Sequence, residues 1–200
     1  EQLRRNIDNC DVHMSKELRN KEKKMRQNAT SFVGNYFVKK GDIVSFPAFQ
    51  IHSLQHGIKV IEFQTPHYER LILMFGQKVL TQDFWDSEEA LKKMKTEIYK
   101  PPRIEIVHKA NGILVERFVD FPDFTADRLS LEPKMISEDC LENKYHILII
   151  ISGQATIINE VGKKILINTE EAVFIPISMG KYSIKNSENK PLICLKAMPK

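Results

Sequence analysis

Between Gly41 and Arg70 the chain reads GDIVSFPAFQIHSLQHGIKVIEFQTPHYER, placing a turn glycine, a proline-led loop and His52 ahead of a β-rich run. That grouping suits a ligand or metal site at the mouth of a small barrel. A neutral imidazole such as that of His52 is a good ligand for zinc and other borderline divalent metals, but one histidine makes no site, because zinc needs at least three protein ligands. Glu62 lies on an apolar run, VIEFQ. An unpaired carboxylate is costly to bury there, so it either faces a wet barrel interior or pairs with a cation. Arg70 is a functional cation or half of an ion pair with Glu69 or Glu62. His56 and His67 read as loop residues. Trp85, in TQDFWD, reads as a packing anchor between a helix and a barrel rather than a sugar platform.

The elements that must hold these residues follow from the rest of the chain. Its 200 residues permit one large domain or two of roughly 100 residues each. A hydrophobic share of 42% with 28% charged residues excludes a disordered chain. No apolar run approaches the roughly 18 residues of a membrane span, and the N-terminus has no signal-peptide core, so a cytoplasmic protein is expected. Cys10, Cys140 and Cys194 are widely spaced and odd in number, which predicts free thiols rather than a disulfide framework. The chain opens with Glu1 instead of methionine, and further residues are expected to precede it.

The net charge of +4 is concentrated at the start, where residues 1–40 carry ten Lys/Arg against five Asp/Glu. Glu17 and Glu22 interleave with the lysines of KELRNKEKKMRQ and no aromatic residue is present to stack on bases. A solvated helix face, not a nucleic-acid arm, is therefore expected. Leu3, Ile7, Cys10 and Met14 form the apolar stripe of such a helix. From Phe32 onward, YFVKKGDIVSFP, GIKVIEFQTP and RLILMFGQ predict strands. Asp86 with Glu89 predicts a capped helix within Asp83–Lys95, with Leu91 and Met94 on its buried face. Pro101 and Pro102 break the chain, dividing it into residues 1–100 and residues 101–200. In the second part RIEIVHKA and GILVERFVDFPDF predict two strands around an Asn111-Gly112 hairpin turn. HILIII, ATII, KILI, AVFIPI, YSI and LICLKAM predict further short strands, the pattern of a sandwich or closed barrel.

The two parts share a weak repeat: Gly41, five residues, Pro47 and a loop, against Glu170, five residues, Pro176 and a loop. The first copy resembles the second motif of the cupin superfamily, G(X)5PXG(X)2H, with Gly41, Pro47 and His52 in register and Phe49 replacing the second glycine. The resemblance implies a mainly β fold of two tandem jelly-roll barrels with an N-terminal helical segment and a short connecting helix. The first barrel, in residues 1–100, is either complete or short of its N-terminal strands; the second, in residues 101–200, is degenerate. KKGDIVSFPAFQIHSL followed by GIKVIEFQTPHYER further resembles the type I phosphomannose isomerases, whose bacterial members carry KGD, IPAG, HA, VEIQ and a TYR ending in a catalytic arginine.

That likeness implies that His52 is a metal ligand, Glu62 and Gln64 bind substrate, and Arg70 is catalytic. Thr65-Pro66-His67 stands where the family has a serine-aspartate pair. The implied cofactor is zinc or another divalent metal, with its remaining ligands on QVHP and KTE segments upstream of the helical insertion, where this chain has neither. The implied chemistry is aldose–ketose isomerisation of a sugar phosphate: the metal polarises sugar oxygens, a base moves a proton between C1 and C2, and an arginine steadies charge. In the second barrel Lys181 stands opposite His52 and only His146 remains of the metal motif. That barrel is expected to bind no metal and to close the first lobe or form a dimer face, which would make the protein a homo-oligomer. The alternative is a non-catalytic sugar-binding or regulatory cupin. Either way the partner is a small molecule, not a nucleic acid or a membrane.

Overall fold

The computed structural model describes residues 2–10, 12–65, 70–73 and 85–200. The chain divides into two compact units, one made of Glu1–Val60 and His67–Lys100, the other of Ile61–Pro66 and Pro101–Lys200.

The second unit is built from strands. They are β1 (Glu105–Ala110), β2 (Ile113–Asp120), β3 (Phe124–Leu131), β4 (Ile136–Cys140), β5 (His146–Ser152), β6 (Ala155–Asn159), β7 (Lys164–Ile167), β8 (Ala172–Ile175), β9 (Lys181–Asn186) and β10 (Leu192–Pro199). One sheet has the order β1-β2-β3-β10-β5-β8 and the other β4-β9-β6-β7. Every pairing is antiparallel. Pairing nests around the β6–β7 hairpin, since β5 meets β8, β4 meets β9 and β3 meets β10. This is the arrangement of a long hairpin folded over on itself, a jelly roll of eight strands, to which β1 and β2 add a further hairpin through the β2–β3 ladder. The fold is mainly β, with two sheets.

Alternation explains the core. Leu129 and Leu131 from β3, Leu148 and Ile150 from β5 and Leu192 and Cys194 from β10 face Ala155, Ile157 and Ile184 from the other sheet in one buried cluster. Asn186 is buried among them and donates through Nδ2 to the carbonyls of Leu131 and Lys190 at 3.0 and 2.7 Å. The Asn111-Gly112 turn forms as expected, with both residues left-handed at φ 50° and 75°, the backbone a two-residue hairpin requires. The expected strand GILVERFVDFPDF, however, ends at Asp120. Pro122 has no N–H for a ladder, and Phe121 turns instead to donate to the Phe124 carbonyl at 3.0 Å. β3 and β4 are elements the strand patterns above do not contain.

The first unit carries helices α1 (Gln2–Asp8), α2 (Val12–Thr30) and α3 (Ser87–Lys93). The single N-terminal helix expected from the apolar stripe is thus two, with Ile7 buried on the first. α3 begins where Asp86 predicts, but no side-chain cap forms. The Asp86 carboxylate accepts the Ile72 N–H at 2.8 Å instead. Ala90 is its buried residue, while Leu91 is exposed. The runs expected as strands, 36–47 and 57–66, contain no strand among the described residues; of RLILMFGQ only residues 70–73 are described. Gln50 and Lys95 form an isolated bridge. Phe37, at 92% exposure, marks how little this segment buries.

Candidate functional site

The segment leading to His52 is shaped by a tight turn. Asp42 N donates to the Lys39 carbonyl at 3.1 Å and Lys39 N donates to Asp42 Oδ2 at 2.9 Å. Gly41, third in this turn, is left-handed at φ 94°, which explains a glycine there. Phe49 is left-handed as well, at φ 67°. It holds the backbone conformation that the second glycine of the cupin pattern would adopt without strain. The loop then delivers His52, whose ring stacks on Phe46 with centroids 4.2 Å apart and planes 11° apart. His52 Nδ1 lies 2.9 Å from the Gln50 carbonyl. A carbonyl only accepts, so Nδ1 carries the hydrogen, and Nε2 is the ring nitrogen that a metal could take. Phe46 also neighbours Tyr99, which meets Tyr36 edge-on at 4.8 Å. Burial raises the Tyr99 phenol pKa, with a backbone hydrogen bond at Ser45 opposing it.

The other candidates are dispersed. His52 and Arg70 belong to the first unit and are exposed, whereas Glu62 and Gln64 belong to the second and are exposed too. Between them Phe63 turns the other way, toward the buried Phe118 of β2 at 6.4 Å, so strand-like alternation sends the two polar side chains outward. His67 lies outside the described residues. Among the described residues no three His, Cys, Asp or Glu side chains come together that could hold a metal ion. The residues described do not complete a zinc centre around His52.

Glu170 and its neighbours in the second unit repeat the two hydrogen bonds of the first turn, with a glutamate in place of the aspartate. Glu171 N donates to the Asn168 carbonyl at 3.1 Å and Asn168 N donates to Glu171 Oε2 at 2.7 Å. Glu170, in the position of Gly41, is left-handed at φ 71°. Pro176 follows as Pro47 does, but next comes a 3-10 turn over Ile177–Met179 and then Lys181, exposed at the start of β9 where the first copy has His52.

One end of the jelly roll is polar inside. On β3, Thr125 and Asp127 share the inward face with Leu129 and Leu131; on β5, His146 shares it with Leu148 and Ile150. Asp127 and His146 are 2% and 3% exposed. Arg117 of β2 grips Asp127 through Nε and Nη2 at 2.9 and 3.1 Å, and that hydrogen bond raises the guanidinium pKa further. Lys196 of β10 is bonded to Asp139 of β4. Tyr182 of β9 bridges Asp139 Oδ2 at 3.3 Å and His146 Nδ1 at 2.7 Å. Burial lowers the His146 pKa, with Asp139 opposing, and burial drives the Tyr182 phenol far up. Burial likewise pushes the Cys194 thiol up to about 12, making it inert core. At the rim a hydrogen bond from Lys200 lowers the Asp120 carboxyl pKa.

Of these groups Arg117, Thr125, Asp139 and His146 line a cavity of about 400 Å³, together with Cys140, Lys144 and others. The motif reading overlooks it, because no short motif spans residues that five strands bring together. A signal was present nonetheless: charged residues fall on the apolar parity of strands, as in TADRLSL and LICLKAM.

No protein-family model matches the chain, and no curated protein does. Among solved structures, the chain is similar to the cupin domain of Cnp3 from Schizosaccharomyces pombe, at 13% identity over 47% of this chain and 65% of that one, with a TM-score of 0.40. It is similar to the cupin domain of an XRE family transcriptional regulator from Enterobacter cloacae, at 17% identity over 44% of this chain and 96% of that one, TM-score 0.39. A sugar phosphate isomerase of the cupin superfamily from Silicibacter pomeroyi is similar at 16% identity over 44% of this chain and 60% of that one, TM-score 0.39. The chain spans less than two thirds of the length of the first and third of these. Each likeness covers under half of this chain, and its structural neighbours are cupin-fold proteins.

Proposed function

We propose that this chain is a sugar-phosphate-binding protein of the mannose-6-phosphate isomerase lineage, with two jelly-roll lobes, whose described residues bind ligand rather than turn it over. The observation that carries this reading is the repeated turn. Lys39–Asp42 and Asn168–Glu171 share two hydrogen bonds, a left-handed third residue and a proline at the same distance, which supports two copies of one lobe. Phe49 holding a left-handed backbone supports the cupin register that ends at His52. In this reading Glu62 and Gln64 contact the sugar.

A second reading, the zinc-dependent isomerase, is favoured by the His52 tautomer, which leaves Nε2 free to bind metal. Zinc would then take its remaining ligands from outside the described residues. One experiment separates the two. The protein is titrated with mannose 6-phosphate by calorimetry, then tested in a coupled isomerase assay with zinc supplied, and its zinc content is compared with that of His52→Ala. Binding without turnover is expected. Turnover lost in His52→Ala, together with its zinc, replaces the binding reading with the isomerase; no binding of any sugar phosphate removes both.

A further inference from the structure

We propose that α2 is an interfacial helix that seats this chain on an anionic lipid surface. Leu18, Met25, Ala29 and Phe32 follow one another at intervals of seven, four and three residues, the spacing of a single helical face. α2 ends at Thr30, but the chain keeps turning, since Ser31 N donates to the Gln27 carbonyl at 3.1 Å and Phe32 N to the Ala29 carbonyl at 3.2 Å. Phe32 thereby closes the same stripe. Met25 is 59% and Phe32 85% exposed, so the C-terminal half of the stripe is not spent on packing within the protein. Charge pattern alone predicts a solvated face here; the exposure of these two side chains is what the structure adds.

The kind of partner follows from the charges. At about 100° per residue, Lys21 and Lys24 fall to one side of the stripe, Arg19 and Arg26 to the other, and Lys16 and Lys23 behind it. Among the described residues Lys16, Arg19, Lys21, Lys23 and Lys24 have no carboxylate at ion-pair distance. Arg26 instead grips Glu22 through Nε and Nη2 at 3.1 and 2.7 Å, neutralising the acid at the stripe's edge. Like charges three and four residues apart, as in Lys16, Arg19 and Lys23, repel one another along a helix, a cost that an anionic surface removes. A nucleic-acid backbone would use the cations and leave Met25 and Phe32 in water. A second copy pairing through the stripe would draw Glu22, four residues after Leu18, into the seam. A lipid surface uses both sets: the apolar side chains enter the acyl boundary while the long cationic ones reach the headgroups. No described helix is long and apolar enough to cross a membrane, so α2 would lie along the surface. This surface is independent of the sugar-phosphate reading.

The test uses the full chain and two vesicle probes, phosphatidylcholine alone and equal parts of phosphatidylcholine and phosphatidylglycerol, with binding read by co-sedimentation. Binding to the anionic vesicles is expected, together with its loss in about 1 M salt, where charges are screened beyond about 3 Å. Each cation near such a surface is worth about fivefold in affinity, so Lys21→Gln/Lys24→Gln is expected to weaken binding about 25-fold. Phe32→Ser is expected to weaken it about tenfold, the loss of a partly inserted ring. Lys21, Lys24 and Phe32 are all exposed, so both variants should keep the melting temperature of the wild type. Four results would overturn the proposal: equal sedimentation with the two vesicles, equal binding by wild type and Phe32→Ser, a lipid-free dimer that Phe32→Ser dissociates, or a single-stranded oligonucleotide bound more tightly than anionic vesicles and equally well by Phe32→Ser.

Discussion

Lys39–His52 and Asn168–Lys181 start from the same turn and end in different surroundings. In the second, the residues after the turn become β8 and pair with β5, and Ile175 ends 2% exposed. In the first, Asp42–Phe46 is extended with no ladder among the described residues, and Phe46, at the place of Ile175, is 41% exposed. The jelly-roll pairing supplies the reason. Each of β7 to β10 pairs with strands among β3 to β6 and with none of its own group. In the first unit the described residues ahead of the turn are the helices α1 and α2. A turn is local and forms anyway, whereas a ladder needs a partner strand.

Amide hydrogen exchange should show this contrast at its largest. Amides of residues 172–175 that donate in the ladder are expected to exchange on the order of a thousandfold more slowly than those of residues 43–46; equal protection would mean that the first segment has found partners. Side-chain truncation comes next. Ile175→Ala should cost about 3 kcal/mol in urea denaturation, and Phe46→Ala only about 0.5 kcal/mol. Similar losses would erase the distinction between the two regions. Glu170→Gly relieves a left-handed residue and is expected to stabilise by up to about 1 kcal/mol, while Gly41→Ala loses about as much at the matching position. Opposite signs sharpen the equivalence of the two turns; the same sign in both breaks it.

The smallest effect concerns pH and exists only in the second unit. His146 has a lowered pKa through burial, facing Asp139, Lys196, Asp127 and Lys144. On acidification the unfolded chain takes up a proton near the ordinary value of about 6.5, whereas the folded chain does so only at lower pH. This contribution to stability is thus present above about pH 6.5 and lost as the pH falls from there toward the folded value. The melting temperature of the wild type should drop more between about pH 7.5 and 5.5 than that of His146→Gln. A parallel decline in the two proteins would show that His146 is not buried as a neutral group.

Much of the second unit could be read from residue order. Asn111-Gly112, Gly153 and the apolar runs of β5 to β10 announce their strands because turn chemistry and period-2 alternation are local. β3 and β4 escaped because TADRLSL and ISEDC interrupt alternation with charges, two of which, Asp127 and Asp139, belong to the polar end. For the candidate site the position was reversed. His52, Glu62, Gln64 and Arg70 are close in the chain and suggested one wall of a site, yet they are shared between two compact units. Arg117, Asp127, Asp139, His146, Tyr182 and Lys196 are far apart in the chain and were invisible as a group, yet they meet.

By itself the sequence determined the turn at Gly41, the spacing of the two prolines, the hairpin at Asn111-Gly112, the free cysteines and the β character of the C-terminal half. These follow from backbone sterics and side-chain periodicity, which act over a few residues. Tertiary structure alone decided which extended segments became strands, because backbone groups are satisfied only when a partner strand is present. It also decided where buried charge would collect, since an inward lysine on β10 is tolerable only beside an aspartate that β4 brings from elsewhere in the chain.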